Sequence, residues 1–249
     1  MKKSIFVRGP VLSQSGYGEQ SRFALRALRS RSDIFDIYIQ PITWGQTGWI
    51  WEDNEFRSWM DARIGLTQQL ISEKKLHPDL SLQITIPNEF SKMAPINIGY
   101  TAGIESDKIS PHWIEQTNLM NKILVVSNHA KTGFKKTVAE AVNNQTGEKL
   151  FLKTEPPVEV VWENTPNYSE EKIDNFNPST DFNFLVISQF GPRKNFTNTV
   201  KWWVEEFIDQ DVGLVIKTSI KSNSIMDYEH TNKLIKDITF DAPRIGIAD

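Results

Sequence analysis

The chain has 249 residues, of which 39% are hydrophobic and 24% charged, with a formal net charge of −3 at pH 7 and no cysteine. This composition is typical of a core-forming protein of one to two domains, and it excludes disulfides, thiolate metal sites and a cysteine nucleophile. The net charge gives no global argument for nucleic-acid binding. No apolar run approaches the roughly 18–20 residues of a membrane-spanning helix, and we therefore expect a cytoplasmic protein.

The N-terminal part of the chain predicts a strand, a small-residue turn and then a helix. The strand is expected at residues 4–8 and the helix at about 19–29. One face of this helix is expected to be buried and the opposite face solvated. The predicted buried residues are Phe23, Ala24, Ala27 and Leu28, and the predicted solvated residues are Arg22, Arg26 and Arg29.

Further apolar runs extend the alternation of strands and helices. Strands are expected at about 34–39, 82–86, 96–100 and 122–126. A helix carrying Ala130, Phe134, Val138 and Ala141 at helical spacing is predicted to follow the last of them. The pattern indicates an α/β fold with a mainly parallel sheet.

The composition changes after about residue 143, where Asn, Glu, Lys, Pro and Thr dominate and only 158–162 is expected to form a strand. We therefore predict an N-terminal domain at 1–165, a linker at 166–180 and a second domain at 181–249. The second domain is expected to be incomplete, because two or three strands make a thin free-standing α/β domain. Its predicted elements are strands at 182–188 and 212–217, helices at 195–208 and 226–236, and a third strand near Asp249.

Two local patterns at predicted strand-to-helix turns are candidates for ligand binding. The turn Gly16-Tyr17-Gly18 lies between a strand and a helix, where the backbone can approach a phosphate or a sugar. A tight turn without a ligand is the alternative. Arg193 and Lys194 precede a helix, where two cations oppose the helix dipole but suit a diphosphate. A solvated basic loop is the alternative there.

Acidic and aromatic residues supply further candidates. Glu105 and Asp107 follow a predicted strand, where a carboxylate can bind a substrate hydroxyl or act as a base, although we expect Asp107 to cap a helix near Pro111. Trp44 and Trp49 belong to a polar, glycine-containing segment whose indole faces could pack against sugar rings, or could anchor the loop to its own core. The four histidines have no metal-ligand spacing.

Taken together, these segments resemble the retaining glycosyltransferases with two facing Rossmann-like domains, often called group 1 or family 4, which have the GT-B fold. Four stretches in the expected order carry the resemblance. They are GYGEQSR at 16–22, IGYT at 98–101 through ESD at 105–107, VVS at 125–127 with AKTGF at 130–134, and FLVISQF at 184–190 with RKN at 193–195.

The resemblance implies transfer of a sugar from a nucleoside-diphosphate sugar to a glycan or glycolipid acceptor, with retained anomeric configuration and without a metal or other cofactor. Arg193 and Lys194 would stabilise the leaving diphosphate. Gly16, Tyr17 and Gly18 would lie against the donor phosphates or the transferred sugar. Glu105 would contact the sugar. We assign the acceptor to the side of the molecule that carries Trp44 and Trp49.

The chain departs from the family pattern in two places. Many relatives have arginine where this sequence has Gln189, and the pair of glutamates that holds the donor, expected well after Lys217, is not found. We therefore expect a truncated donor domain.

Several alternatives stay open. One is a non-catalytic carbohydrate- or partner-binding remnant, and another is a sugar-nucleotide epimerase. A dehydrogenase is disfavoured, because Ser21 replaces the third glycine of the dinucleotide fingerprint. The arginines of the first helix could contact an anionic membrane surface, although a solvated helix face is the default.

Overall fold

The computed structural model of the chain describes residues 2–103, 105–142, 147–165, 169–170, 172–220 and 224–239. The chain divides into two compact units, Met1–Gly45 with Trp49–Pro166 (unit 1) and Gln46–Gly48 with Asn167–Asp249 (unit 2). The strand expected near Asp249 lies outside the described residues.

Unit 1 is built on a six-stranded parallel sheet. Unit 1 as a whole contains the strands β1 (Lys3–Gly9), β2 (Phe35–Pro41), β3 (Leu80–Ile84), β4 (Ile96–Thr101), β5 (Lys122–Val125), β6 (Val138–Val142), β7 (Lys149–Lys153) and β8 (Val158–Val160). Its helices are α1 (Gly16–Arg29), α2 (Glu55–Ser72), α3 (Pro111–Thr117) and α4 (Asn128–Lys136). Strands β6 and β7 form a separate pair outside the sheet. The six strands of the sheet follow the order β2-β1-β3-β4-β5-β8, and every neighbouring pair is parallel. The predicted α/β class with a parallel sheet is therefore confirmed, and the unit is Rossmann-like in general character.

The strand order fixes where unit 1 presents its loops for binding. The chain moves from β1 to β2 on one side and then returns past β1 to β3 on the other. Open α/β sheets bind ligands outside the carboxyl ends of their strands, at the point where the order reverses. In unit 1 this point lies between β1 and β3.

Helices pack against both faces of this sheet. Alternate strand residues point to opposite faces, so Val7 and Ile39 pack with Leu25 of α1 in one core cluster. Val125 belongs to the other cluster, together with Phe134 of α4. Helix α2 covers the outer edge of β2. There the hydroxyl of its residue Thr67 accepts a hydrogen bond from the backbone amide of Ile39 at 2.8 Å.

The buried face of α1 differs from the predicted one. The helix begins at Gly16, three residues earlier than predicted, and it buries Ala24 and Leu25 while Ala27 is exposed. Arg22, predicted to be solvated, is only 4% exposed. Its guanidinium tolerates burial because carbonyl and carboxylate oxygens surround it.

The predicted helix through Val138 and Ala141 is also wrong. Helix α4 ends at Lys136, and both residues lie in β6, which pairs with β7 in an antiparallel hairpin. The exposure of the run VAEAV alternates from residue to residue, as in a strand with one face packed. Strand β7 lies in the stretch where only 158–162 was expected to form a strand.

Unit 2 consists of a parallel strand pair with helices packed on it. Its elements are β9 (Asn183–Gln189), β10 (Gly213–Ser219), α5 (Phe196–Phe207) and α6 (Ile225–Ile238). Phe196, Val200 and Ile235 form its buried core. The opposite side of β9 is open, since Leu185 and Ile187 are 62% and 65% exposed.

Among the described residues, no helix is both long and apolar enough to cross a lipid bilayer.

Candidate functional site

The loop after β1 and the first turn of α1 form the best-defined part of the candidate site. Ser15 occupies the N-cap position, and its hydroxyl accepts a hydrogen bond from the amide of Gly18 at 3.0 Å. The hydroxyl of Ser13 donates to that of Ser15 at 2.9 Å. These bonds satisfy one of the free amides at the helix start, and they hold the turn rigidly at the carboxyl end of β1.

The two glycines of this turn occupy different environments. A Cβ atom on Gly18 would lie 2.1 Å from the carbonyl oxygen of Ser13, whereas a Cβ atom on Gly16 would meet nothing within 4 Å. Gly18 is buried and Gly16 is exposed. Close packing therefore accounts for Gly18, and Gly16 is the glycine of the turn that a ligand can approach.

Arg22 fastens the loop after β1 to the helix. Its Nη1 atom donates to the carbonyl oxygens of Val11 and Ser13, both at 2.9 Å, and its Nη2 atom donates to the carboxylate of Glu19 at 2.6 Å. Partial burial of Glu19 acts against the charged form, but hydrogen bonds from Arg22 and Arg26 outweigh it and lower the pKa of Glu19. Arg22 therefore has a structural role, and its guanidinium is not available to an anionic membrane surface.

Tyr17 connects the start of α1 to the end of β4. Its hydroxyl lies 2.8 Å from the hydroxyl of Thr101 and accepts a hydrogen bond from the amide of Ala102 at 3.1 Å. Its ring packs on that of Trp44, with ring centroids 4.3 Å apart and planes inclined by 34°. Burial raises the pKa of the Tyr17 hydroxyl, and the nearby carboxylates of Glu163 and Glu89 raise it further.

Glu89 and Glu163 are the functional candidates that sequence reasoning did not single out. Glu89 lies past the end of β3, and its carboxylate accepts a hydrogen bond from the buried hydroxyl of Thr85 at 2.7 Å. Glu163 lies past the end of β8, and its side chain is exposed. The shared signal is a carboxylate shortly after a parallel strand, which becomes informative once the strand order is known.

The tryptophan segment lies against the loop after β1. Ser13 and Trp49 form an isolated antiparallel bridge, and the amide of Ile50 donates to the carbonyl of Leu12 at 2.7 Å. The side chain of Trp49 is 62% exposed, so it offers an aromatic face to solvent. Trp44 is half-buried on Tyr17. The structure therefore brings four predicted residues, Gly16, Tyr17, Gly18 and Trp44, into direct proximity, and it ties Trp49 to the same loop.

Glu105 and Asp107 lie in the exposed loop between β4 and α3. Asp107 does not cap α3, whose N-cap position is Ser110. It lines instead a pocket of about 290 Å³ beside α4, together with Lys108, His129, Thr132, Gly133 and Lys136. Its lining carries two lysines and one aspartate, so positive charge is in excess there.

Arg193 and Lys194 lie in unit 2, at the carboxyl end of β9. They belong to a 3₁₀ turn, Pro192–Lys194, and both side chains are exposed. Asn195 follows in the left-handed conformation (φ 50°) as the N-cap residue of α5, and its side chain makes no capping hydrogen bond to this helix. Gln189 donates from its side-chain amide to the carbonyl of Ile220 at 3.0 Å.

Comparison with known proteins does not identify a family for the chain. No protein-family model matches the sequence, and no curated protein matches it with significant similarity.

Proposed function

We propose that this chain is a nucleotide-sugar-dependent glycosyltransferase of the GT-B type that transfers a sugar to a glycan or glycolipid acceptor with retention of configuration. In this proposal unit 2 binds the donor diphosphate through Arg193 and Lys194, and unit 1 contacts sugar through the loop after β1. A cytoplasmic location and independence from a metal are parts of the same proposal.

The observation that carries the proposal is the pair of cations before α5 in unit 2, a helix whose N-cap side chain makes no capping hydrogen bond. Free amides and the positive end of the helix dipole attract an anion at the start of α5. The guanidinium of Arg193 is suited to two phosphate oxygens at once, and the ammonium of Lys194 adds a mobile point charge. Negative charge grows on the diphosphate as the bond to the sugar breaks, so fixed positive charge at this place lowers the barrier.

The proposal is tested by calorimetric titration of the chain with UDP, GDP and ADP and with their glucose and mannose conjugates. One of the nucleotides is expected to bind, and Lys194→Ala should weaken it about tenfold or more, because a hydrogen bond to a charged group contributes about 1.5–3 kcal/mol. Lys201→Ala is the matched control, since Lys201 is an exposed lysine of α5 that pairs with Glu205 at 3.8 Å. It should bind like the wild type.

Two outcomes would count against the proposal. One is a folded protein that binds no nucleotide at millimolar concentration. The other is binding that Lys194→Ala and Lys201→Ala weaken equally, which would indicate a general charge effect without a site.

A non-catalytic carbohydrate-binding module is the second candidate function. The observation that favours it is the half-buried aromatic pair of Tyr17 and Trp44 in unit 1, since packing of a sugar ring on aromatic faces requires no nucleotide. Saccharide binding without any nucleotide binding would select this candidate.

A further inference from the structure

We propose that the pocket beside α4 binds a small phosphate ester that carries hydroxyl groups, such as a polyol phosphate or a sugar phosphate. The pocket lies within unit 1, and the inference goes beyond the proposed function because it does not depend on the nucleotide site of unit 2. It gives a binding role to Asp107, which was expected to cap a helix, and to Lys108 and Lys136, which no sequence motif marked.

One wall of the pocket is a single face of α4. His129, Thr132 and Lys136 line this wall. They are three and four positions apart along the helix, and side chains at these spacings lie on the same side of a helix. The regular geometry of α4 therefore fixes the places from which these side chains reach the pocket.

The opposite wall is the loop between β4 and α3, which is attached to both ends of α4. At the start of the helix, Nε2 of His129 donates to the carbonyl oxygen of Ser106 at 3.1 Å. Just past its end, the hydroxyl of Thr137 accepts a hydrogen bond from the amide of Ile109 at 3.1 Å. The two loop residues that line the pocket lie between these attachments, so the loop is held across the helix before any ligand binds. A preformed wall loses little conformational entropy on binding.

The charged side chains of the pocket are not neutralised within the molecule. In the part of the chain that the structure describes, Lys108, Lys136 and Asp107 form no ion pair. Lys136 lies in the last turn of α4, where a cation also suits the helix dipole, whereas Lys108 belongs to the loop. Two unpaired ammonium groups that line one cavity raise the local concentration of anions.

The hydrogen-bonding groups of the lining indicate which anion fits. A phosphate monoester carries a charge of about −1.5 to −2 at pH 7, which matches the two ammonium groups. The carboxylate of Asp107 accepts hydrogen bonds and donates none. The hydroxyl of Thr132 already donates to the carbonyl of Asn128 at 2.8 Å, so it too accepts from a ligand. The complementary ligand therefore has anionic oxygens for the lysines and hydroxyl donors for Asp107 and Thr132.

The size of the pocket agrees with a small metabolite. Pockets for drug-sized ligands have volumes of about 300–1,000 Å³, and this pocket, at about 290 Å³, lies at the lower limit. Glycerol phosphate and hexose phosphates belong to this size class.

The test is an amide NMR titration of the full chain with glycerol 3-phosphate and glucose 6-phosphate, with inorganic phosphate and glycerol as reference probes. One of the esters should shift the amides of the loop before α3 and of α4 at millimolar concentration, and it should bind more tightly than inorganic phosphate. Lys108→Gln and Lys136→Gln should each raise its dissociation constant about tenfold, as expected for loss of a charge-assisted hydrogen bond. Lys135→Gln is the matched control, because Lys135 is an exposed lysine of the same helix turn that does not line the pocket.

Asp107→Ala separates recognition of hydroxyl groups from simple attraction of anions. It should raise the affinity for inorganic phosphate, because it removes a carboxylate that repels phosphate oxygens. It should also lower the preference for the ester over inorganic phosphate by about fivefold, because the acceptor for a ligand hydroxyl is lost. The four variants change exposed side chains, so their circular-dichroism melting curves should match that of the wild type.

Three results would overturn the inference. The first is a folded chain in which neither ester shifts the amides of the pocket. The second is equal weakening by Lys108→Gln, Lys136→Gln and Lys135→Gln, which would indicate a general charge effect. The third is wild-type protein that binds inorganic phosphate as tightly as both esters. Because the probes contain no nucleotide and the variants lie in unit 1, each result is independent of the test of Lys194.

Discussion

The clearest quantitative prediction concerns the two glycines at the start of α1. In Gly18→Ala the new methyl group would lie 2.1 Å from the carbonyl oxygen of Ser13, so the oxygen has to retreat by roughly 1 Å or more to restore an ordinary contact of 3.4 Å. That oxygen also accepts a hydrogen bond from Arg22 at 2.9 Å. Overpacking costs about 1–3 kcal/mol, and a hydrogen bond to a charged group contributes about 1.5–3 kcal/mol. We expect Gly18→Ala to destabilise unit 1 by about 4 kcal/mol.

Gly16→Ala is the matched control, because it makes the same chemical change two residues away in open space. Alanine at this exposed helix position should be neutral or stabilise the protein by up to about 1 kcal/mol. Both variants are compared with the wild type by urea denaturation followed by circular dichroism. With a slope of about 2 kcal/mol per molar urea, Gly18→Ala should lower the midpoint by about 2 M.

The reasoning is refuted if Gly18→Ala unfolds within about 0.3 M of the wild type, or if Gly16→Ala is the less stable variant. Either result would mean that the contact between Gly18 and Ser13 does not hold the turn.

Two further predictions concern the charged residues of α1. Arg22→Met should destabilise unit 1 by about 2–4 kcal/mol because it leaves the carbonyls of Val11 and Ser13 without their donor. Arg26→Met, which removes an exposed partner of Glu19 at 3.3 Å, should lower the stability by less than about 1 kcal/mol. Equal decreases in the free energy of unfolding, measured by urea denaturation, would contradict the structural role of Arg22. The folded-state pKa of Glu19 is lowered from its ordinary value of 4.5, so its carboxylate stabilises the fold above that value and the contribution is lost as the pH falls through the lowered pKa. The melting temperature of Glu19→Gln should therefore lie below that of the wild type at pH 7 and converge with it as the pH falls below the lowered pKa of Glu19. Parallel curves throughout the acid titration would show that Glu19 is not the titrating group.

The sequence predicted the sheet strands of unit 1 better than its helices, since α2 was not predicted and α1 has a different start and buried face. The strands are evident because short apolar runs bounded by turn residues are typical of parallel sheets. The start of α1 was placed too late because Gly16 and Gly18 are poor helix formers, and the cap by Ser15 outweighs this preference. Burial of Arg22 depends on carbonyls of a loop whose path the sequence does not reveal. A five-residue run such as Val138–Val142 is too short for its period to separate helix from strand.

The candidate site was predictable only where its residues are adjacent in the chain. The turn at Gly16 and the pair at Arg193 follow strands directly, so local pattern suffices to mark them. Glu89 and Glu163 lie past the ends of β3 and β8, which belong to the same parallel sheet. Their placement at one edge depends on the strand order, which is not encoded locally.

The most direct test of nucleotide-sugar binding is an amide NMR titration of isotope-labelled protein with UDP-glucose, GDP-mannose and ADP-glucose. One donor should shift the amides of Arg193, Lys194 and the first turn of α5, and the shifts should disappear in Lys194→Ala. Shifts confined to other regions, such as the pocket beside α4, or no shifts at millimolar donor, would contradict the claim that this chain binds a nucleotide sugar through the cations after β9.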